Sequence, residues 1–194
     1  MRLATALMLL AVARTDATAA GLLVEVRDAR GAPVPDALVY VVPEGRKPPP
    51  PSRAAVLDQK NRMFVPHILP IQTGTAVTFP NSDNVRHQVY SFSSAKRFQL
   101  PLYAGTPGAP VVFDKPGVVT LGCNIHDQMS AYLVVVDTPY FALTAEGRAE
   151  LPGLPDGRYD VRVWYAGMRG EPPPQPVSFG PNEQKSLAFQ IGNK

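Results

Sequence analysis

Three side chains that can bind a soft metal ion follow one another at three-residue intervals. Cys123, His126 and Met129 offer a thiolate, an imidazole and a thioether within one short segment. Apolar, β-branched runs precede and follow this segment, which predicts two strands joined by a tight loop. One coordination site could use all three side chains.

A second imidazole lies upstream, at His87, after the polar turn that follows Phe79. Two imidazoles, one thiolate and a weak, distant thioether form the trigonal site of a type 1, or blue, copper centre. The soft thiolate suits Cu(I), the imidazoles suit Cu(II), and a rigid strand-loop-strand frame lets neither oxidation state relax to its preferred geometry. The pattern therefore predicts a site that exchanges one electron with little reorganisation.

Three motifs in order resemble the cupredoxin family over roughly Asn61 to Asp137. They are Phe79-Pro-Asn-Ser-Asp83 with His87 after it, Phe113-Asp-Lys-Pro-Gly117, and Cys123-x2-His126-x2-Met129 followed by an apolar strand. The loop spacing is more similar to amicyanin than to plastocyanin. The resemblance implies one copper ion per chain, with His87, Cys123 and His126 as strong ligands and Met129 as the axial ligand. Gln88 stands after His87, where many cupredoxins have Asn.

Other interpretations of these residues remain open. Cys123 is the chain's one cysteine, so it has no internal disulfide partner, and the alternative to metal binding is a buried structural thiol. His67 is a candidate fifth ligand or second metal site. It lies between two prolines without Cys, His or carboxylate close in sequence, which favours a structural or surface role. Asp83 and Arg86 are predicted to form a local ion pair in the turn before His87.

The first 20 residues have the features of a signal peptide. Arg2 supplies the positive end, a short apolar run follows, and small residues near Ala20 offer a cleavage site. The run is shorter than the roughly 20 residues that span a bilayer. We therefore predict export to the periplasm and no integral membrane span in the mature chain. Removing residues 1–20 leaves 17 basic and 15 acidic residues, a balance too mild to indicate nucleic-acid binding.

The composition predicts an all-β chain. Pro and Gly number 22 and 15, and the apolar runs between them are short and rich in Val and Tyr. The segments on either side of the copper motifs, 21–43 and 138–194, resemble consecutive parts of a carboxypeptidase regulatory-like, transthyretin-like sandwich. Neither segment alone offers enough strands to close a core.

The predicted fold is thus a cupredoxin Greek-key β-sandwich that is inserted in, or flanked by, a second transthyretin-like β-sandwich. The domain prediction is 1–20 signal peptide, 21–43 plus 138–194 discontinuous regulatory-like sandwich, 44–60 Pro-rich linker, and 61–137 copper-binding domain. The linker prediction rests on the proline run from Pro48 to Pro51. The alternative is that both flanks add strands to the cupredoxin sheets.

The function predicted from these features is one-electron transfer between redox partner proteins, by an exported protein that is not an enzyme. Copper oxidases and nitrite reductases need further copper ligands, and the chain has three histidines. The alternative is copper storage or delivery. The Phe113–Gly117 motif and the Val135–Phe141 run are also similar to bacterial proteins labelled "methylamine utilization". That resemblance implies a dehydrogenase as partner, a cytochrome being the other candidate, but it does not make methylamine the substrate.

Overall fold

A computed structural model describes residues 20–192, and these form strands, turns and loops without helix. The all-β prediction is confirmed. The predicted signal peptide, apart from Ala20, lies outside the described residues. The first nine strands are β1 (Ala20–Asp28), β2 (Leu38–Pro43), β3 (Ala55–Val56), β4 (Asp58–Lys60), β5 (Met63–Val65), β6 (Ile68–Gln72), β7 (Thr75–Thr78), β8 (His87–Ser93) and β9 (Lys96–Tyr103). The next eight are β10 (Val111–Phe113), β11 (Gly117–Gly122), β12 (Ser130–Val136), β13 (Phe141–Leu143), β14 (Arg148–Leu154), β15 (Gly157–Trp164), β16 (Gln175–Phe179) and β17 (Gln184–Ile191).

The two ends of the chain build one sandwich, here called the flanking sandwich. Strand β1 lies between β14 and β17 in a three-stranded sheet, and the facing sheet has the order β13, β2, β15, β16. Alternating apolar residues of both sheets, such as Val24, Val39 and Val161, pack into one core. This alternation is the pattern of strands with one buried face.

The middle of the chain builds the central sandwich. Its larger sheet has the order β6, β12, β11, β8, β9, and its smaller sheet has the order β10, β7, β3. The short hairpin of β4 and β5 lies beside them and pairs Asp58 with Val65. Phe79, Phe113, Val89 and Leu133 are fully buried in the core that the sheets share. This frame carries every predicted metal ligand.

The predicted linker 44–60 is wrong at its C-terminal end, because Ala55–Val56 and Asp58–Lys60 are strands. The proline run stops at Pro51, so the following amides are free to donate. The amide of Leu57 donates to the carbonyl of Thr78, and that of Gln59 donates to the carbonyl of Pro80, each over 3.0 Å. Both side chains are fully buried, which makes residues 55–60 part of the central sandwich.

Strand β12 is buried on both faces. Leu133 and Val135 belong to the central core, whereas Val134 and Val136 join Leu38, Ile68 and Trp164 in a third apolar cluster between the two sandwiches. The near-continuous apolar run of this strand is typical of a strand covered on both sides. The sandwiches therefore share an apolar contact as well as their chain connections.

Candidate metal centre

The loop between β11 and β12 carries three of the four predicted ligands. The two strands pair antiparallel up to Gly122 opposite Ser130, which fixes both ends of the loop. Inside it, the amide of Met129 donates to the carbonyl of His126 over 3.0 Å. Cys123 and Met129 are buried, His126 is half-buried, and the loop's other residues face solvent. The loop thus directs a thiol and a thioether inward and leaves one imidazole near the surface.

His87 begins β8, the strand next to β11 in the larger sheet of the central sandwich. Its side chain is fully buried. The pairing of Gly122 with Tyr90 aligns the two strands, so a residue 36 positions upstream of Cys123 reaches the same end of the sheet. The predicted polar turn from Asn81 to Asn84 precedes this histidine.

The sulfur and two ring nitrogens form a compact triangle. Sγ of Cys123 lies 3.9 Å from Nδ1 of His87 and 4.0 Å from Nδ1 of His126. The imidazole centroids are 4.9 Å apart at 60°, and all three donor atoms lie within 4.8 Å of one another. First-row metal ions lie about 2.0–2.3 Å from imidazole and thiolate ligands, so one ion fits between these atoms.

Met129 is 2% exposed and packs in the same apolar cluster as Cys123. The structure therefore places the thioether on the buried side of the loop. Its role as the axial ligand stays a prediction. A donor set of two imidazoles, one thiolate and one thioether is the combination that type 1 copper uses, and a soft, buried thiolate fits Cu(I) as well as Cu(II).

Asp83 contacts the other side of the His87 ring. Its Oδ2 lies 2.7 Å from Nε2 of His87, and the carboxylate also accepts hydrogen bonds from the amides of Asn61 and Arg62. Burial acts to raise the pKa of Asp83, but the Arg62 amide, the His87 ring and the Asn61 amide together outweigh it and lower that pKa. The predicted ion pair with Arg86 is wrong, since this carboxylate turns inward. The four-residue spacing from Asp83 to His87 was the available signal.

Asn81 organises the turn before His87. Its Nδ2 donates to the carbonyls of Val85 and Tyr103, both over 2.9 Å, and its Oδ1 accepts from the amide of Asp83 over 3.0 Å. Gln88, the residue directly after His87, lies half-buried on β8. An asparagine thus does support the turn, but from six residues before the histidine.

Tyr103 lies next to Asn81 in a polar layer that also contains Gln59. Its hydroxyl donates to the carbonyl of Phe79 and accepts from Nε2 of Gln59. Burial raises the pKa of Tyr103 to about 12, although the Gln59 hydrogen bond acts in the opposite direction. Sequence reasoning did not identify Gln59, because it stood in the segment interpreted as linker.

His67 lies apart from the triangle. Its ring is exposed, with Nδ1 3.1 Å from the carbonyl of Ser130 and the ring edge against Tyr132 at 5.6 Å between centroids. Within residues 20–192, one cluster of three or more His, Cys, Asp or Glu side chains is close enough to share a metal ion. It consists of His87, Cys123 and His126. The same residues contain no helix able to cross a membrane.

Several solved structures are similar to this chain. A purple cupredoxin from Nitrosopumilus maritimus is 25% identical with a TM-score of 0.38, over 43% of this chain and all of that one. A point variant of amicyanin in its Cu(I) state is 18% identical with a TM-score of 0.39, over 50% of this chain and 99% of that one. The copper-containing nitrite reductase of Thermus scotoductus SA-01 is 23% identical with a TM-score of 0.41, over 57% of this chain but 28% of the enzyme.

No protein-family model and no curated protein sequence matches the chain. The similarity to cupredoxins is one of structure and covers about half of the chain.

Proposed function

We propose that this protein is an exported type 1 copper protein that carries one electron at a time between redox partners. The observation that carries the proposal is the triangle of Cys123 Sγ, His87 Nδ1 and His126 Nδ1, with donor separations of 3.9 and 4.0 Å to the sulfur. In this proposal the three atoms are the strong copper ligands and Met129 is the axial ligand. Copper in such a site supplies a one-electron couple.

The frame around the ligands suits this role. His87 begins β8 and Cys123 directly follows β11, the neighbouring strand of the same sheet, so the pairing of Gly122 with Tyr90 constrains their separation. Their burial excludes water and leaves the thiolate and the inner imidazole little freedom to rearrange. Ligands that stay in place in both oxidation states keep the reorganisation energy of electron transfer low.

His126 is the ligand nearest to solvent. Its ring is half-buried and the preceding Ile125 is 52% exposed. In the proposed function a partner approaches at this edge of the loop. The partner, a dehydrogenase or a cytochrome, is defined only by its ability to give or take one electron.

The proposed protein has no enzymatic activity of its own. A catalytic copper would need an additional ligand set, and the third histidine, His67, points Nδ1 at the Ser130 carbonyl. A copper-held thiolate is also not free to act as a nucleophile.

The proposed export and periplasmic location rest on the signal-peptide features of residues 1–20. The N-terminal sequence of the protein recovered from the periplasm tests both.

The experiment that tests the carrier role combines redox cycling with a competing chelator. The mature chain is loaded with copper, reduced and reoxidised repeatedly, and its copper content is measured after each half-cycle. A one-electron carrier retains one copper per chain in both states and reacts stoichiometrically with a one-electron donor. Loss of the metal to the chelator in either state would instead favour copper storage or delivery.

A further inference from the structure

The polar contact on the far side of His87 is a short, buried hydrogen bond. Nε2 of His87 lies 2.7 Å from Oδ2 of Asp83, with the ring fully buried and the carboxylate 11% exposed. An ionised carboxylate only accepts hydrogen bonds, so Nε2 carries the proton. Nδ1, the atom that faces Cys123, is then left with its lone pair for a metal ion.

Two backbone amides hold the Asp83 carboxylate in place. The amide of Asn61 donates to Oδ1 over 2.6 Å, and the amide of Arg62 donates to Oδ2 over 2.9 Å. Asn61 and Arg62 have φ values of 55° and 56°, as in the tight two-residue turns that join hairpin strands. The β4–β5 hairpin thus presents both amides to Asp83 from outside the larger sheet.

This arrangement orients His87 from behind. Histidine ligands commonly donate their second ring N–H to a carboxylate or carbonyl, which fixes the tautomer and makes the imidazole a stronger donor to the metal. A carboxylate adds a negative charge that a carbonyl or amide lacks. A stronger donor with a nearby negative charge stabilises the more positive ion. The site therefore gains more affinity for Cu(II) than for Cu(I).

We propose that Asp83 is a positioning residue that fixes the His87 tautomer. By stabilising Cu(II) relative to Cu(I), it also lowers the reduction potential of the bound copper. The inference rests on the proposed copper function, because it concerns the same site. It goes beyond that function by assigning part of the reduction potential to a residue that is not a ligand. The competing interpretation is that Asp83 only braces the hairpin turn.

Asp83→Asn separates the two interpretations. Asparagine keeps an oxygen that can accept from Nε2 of His87 but removes the negative charge. The matched control is Asp58→Asn, because Asp58 is also partly buried and lies in the hairpin whose turn holds the Asp83 carboxylate. Its carboxylate accepts from the Gln59 amide and from Ser82, and contacts no predicted ligand. Each variant removes one negative charge from the same region of the protein, but only Asp83→Asn removes it beside His87.

The first readout is the reduction potential of the copper-loaded full mature chain, by voltammetry. Replacing groups that support a metal ligand commonly lowers metal affinity about 10–100-fold. We expect Cu(II) affinity of Asp83→Asn to fall by about tenfold relative to Cu(I) affinity, which is about 59 mV towards higher potential for one electron. Asp58→Asn is expected to shift the potential by much less.

The second readout needs no metal. Nitrogen NMR of the apoprotein at alkaline pH, where imidazole is neutral, reports which ring nitrogen of His87 carries the proton. We expect the proton on Nε2 in the wild type, and a mixture of tautomers in Asp83→Ala, which lacks the acceptor. Equal potential shifts in the two Asn variants, or an Nδ1-protonated His87 in the wild type, would overturn the inference. A wild type that forms no blue copper site would instead overturn the proposed function, whatever the tautomer.

Discussion

The two sandwiches differ in the polar side chains that they bury in their cores. In the flanking sandwich the buried polar side chains are threonines bonded to backbone. Thr144, for example, accepts from the Ala37 amide and donates to the Val34 carbonyl. The central sandwich buries His87, Gln59 and Asn81 at one end, next to Cys123. Burying a polar group costs free energy unless it is hydrogen-bonded, and these three side chains lie at the end of the central core that holds the candidate metal centre.

The largest expected effect is on stability, and it tests whether the two sandwiches unfold together. Trp164 lies in the apolar cluster between them, with its ring 5.4 Å from that of Tyr132. Trp164→Ala is expected to lower the free energy of unfolding by about 3–5 kcal/mol, because the cavity cannot close fully. We also expect calorimetry to show two transitions where the wild type shows one. A single, unshifted transition would contradict a shared apolar contact.

A matched pair of substitutions sharpens the comparison between the cores. Leu121 lies in the central core two residues before Cys123, and Leu154 lies in the flanking core. Each change to Ala is expected to cost about 2–5 kcal/mol of unfolding free energy. We expect only Leu121→Ala to weaken Cu(II) binding in folded protein, measured by absorption titration. Equal losses of copper affinity would mean that the site depends on global stability and not on its own frame.

The all-β fold and the clustering of His87, Cys123 and His126 were largely predictable because their signals are local. Short β-branched runs between Pro and Gly indicate strands, and three candidate ligands at regular spacing in one loop can be identified without knowing the tertiary structure. The Asp83–His87 contact was missed although its four-residue spacing is a local signal. The amides of Asn61 and Arg62 that hold the carboxylate come from a distant hairpin, so nothing in the local sequence indicates them. The strands at 55–60 were missed because their short edge pairings leave no clear periodic pattern.

The smallest expected effect concerns the polar layer next to the site. Tyr103→Phe removes the hydroxyl between Gln59 and the Phe79 carbonyl, which is expected to cost about 1–3 kcal/mol at neutral pH. Unfolded tyrosine has a pKa near 10, whereas burial raises the pKa of Tyr103 in the folded protein to about 12.

Above pH 10 the unfolded chain loses this proton first, so the wild type loses stability as the pH rises from about 10 to 12. Denaturant unfolding across this range is expected to show the wild-type advantage over Tyr103→Phe shrinking. An advantage that stays constant or grows would contradict the raised pKa. Thr144→Val in the flanking core is the control, since no titrating group is removed there.

The central claim is that Cys123, His87 and His126 form a type 1 copper site. Its most direct test is the visible absorption spectrum of the mature protein during titration with Cu(II), beside Cys123→Ser. We predict an intense blue band that saturates at one copper per chain and is absent from the variant. Folded wild type without that band, or a band that survives in Cys123→Ser, would contradict the claim.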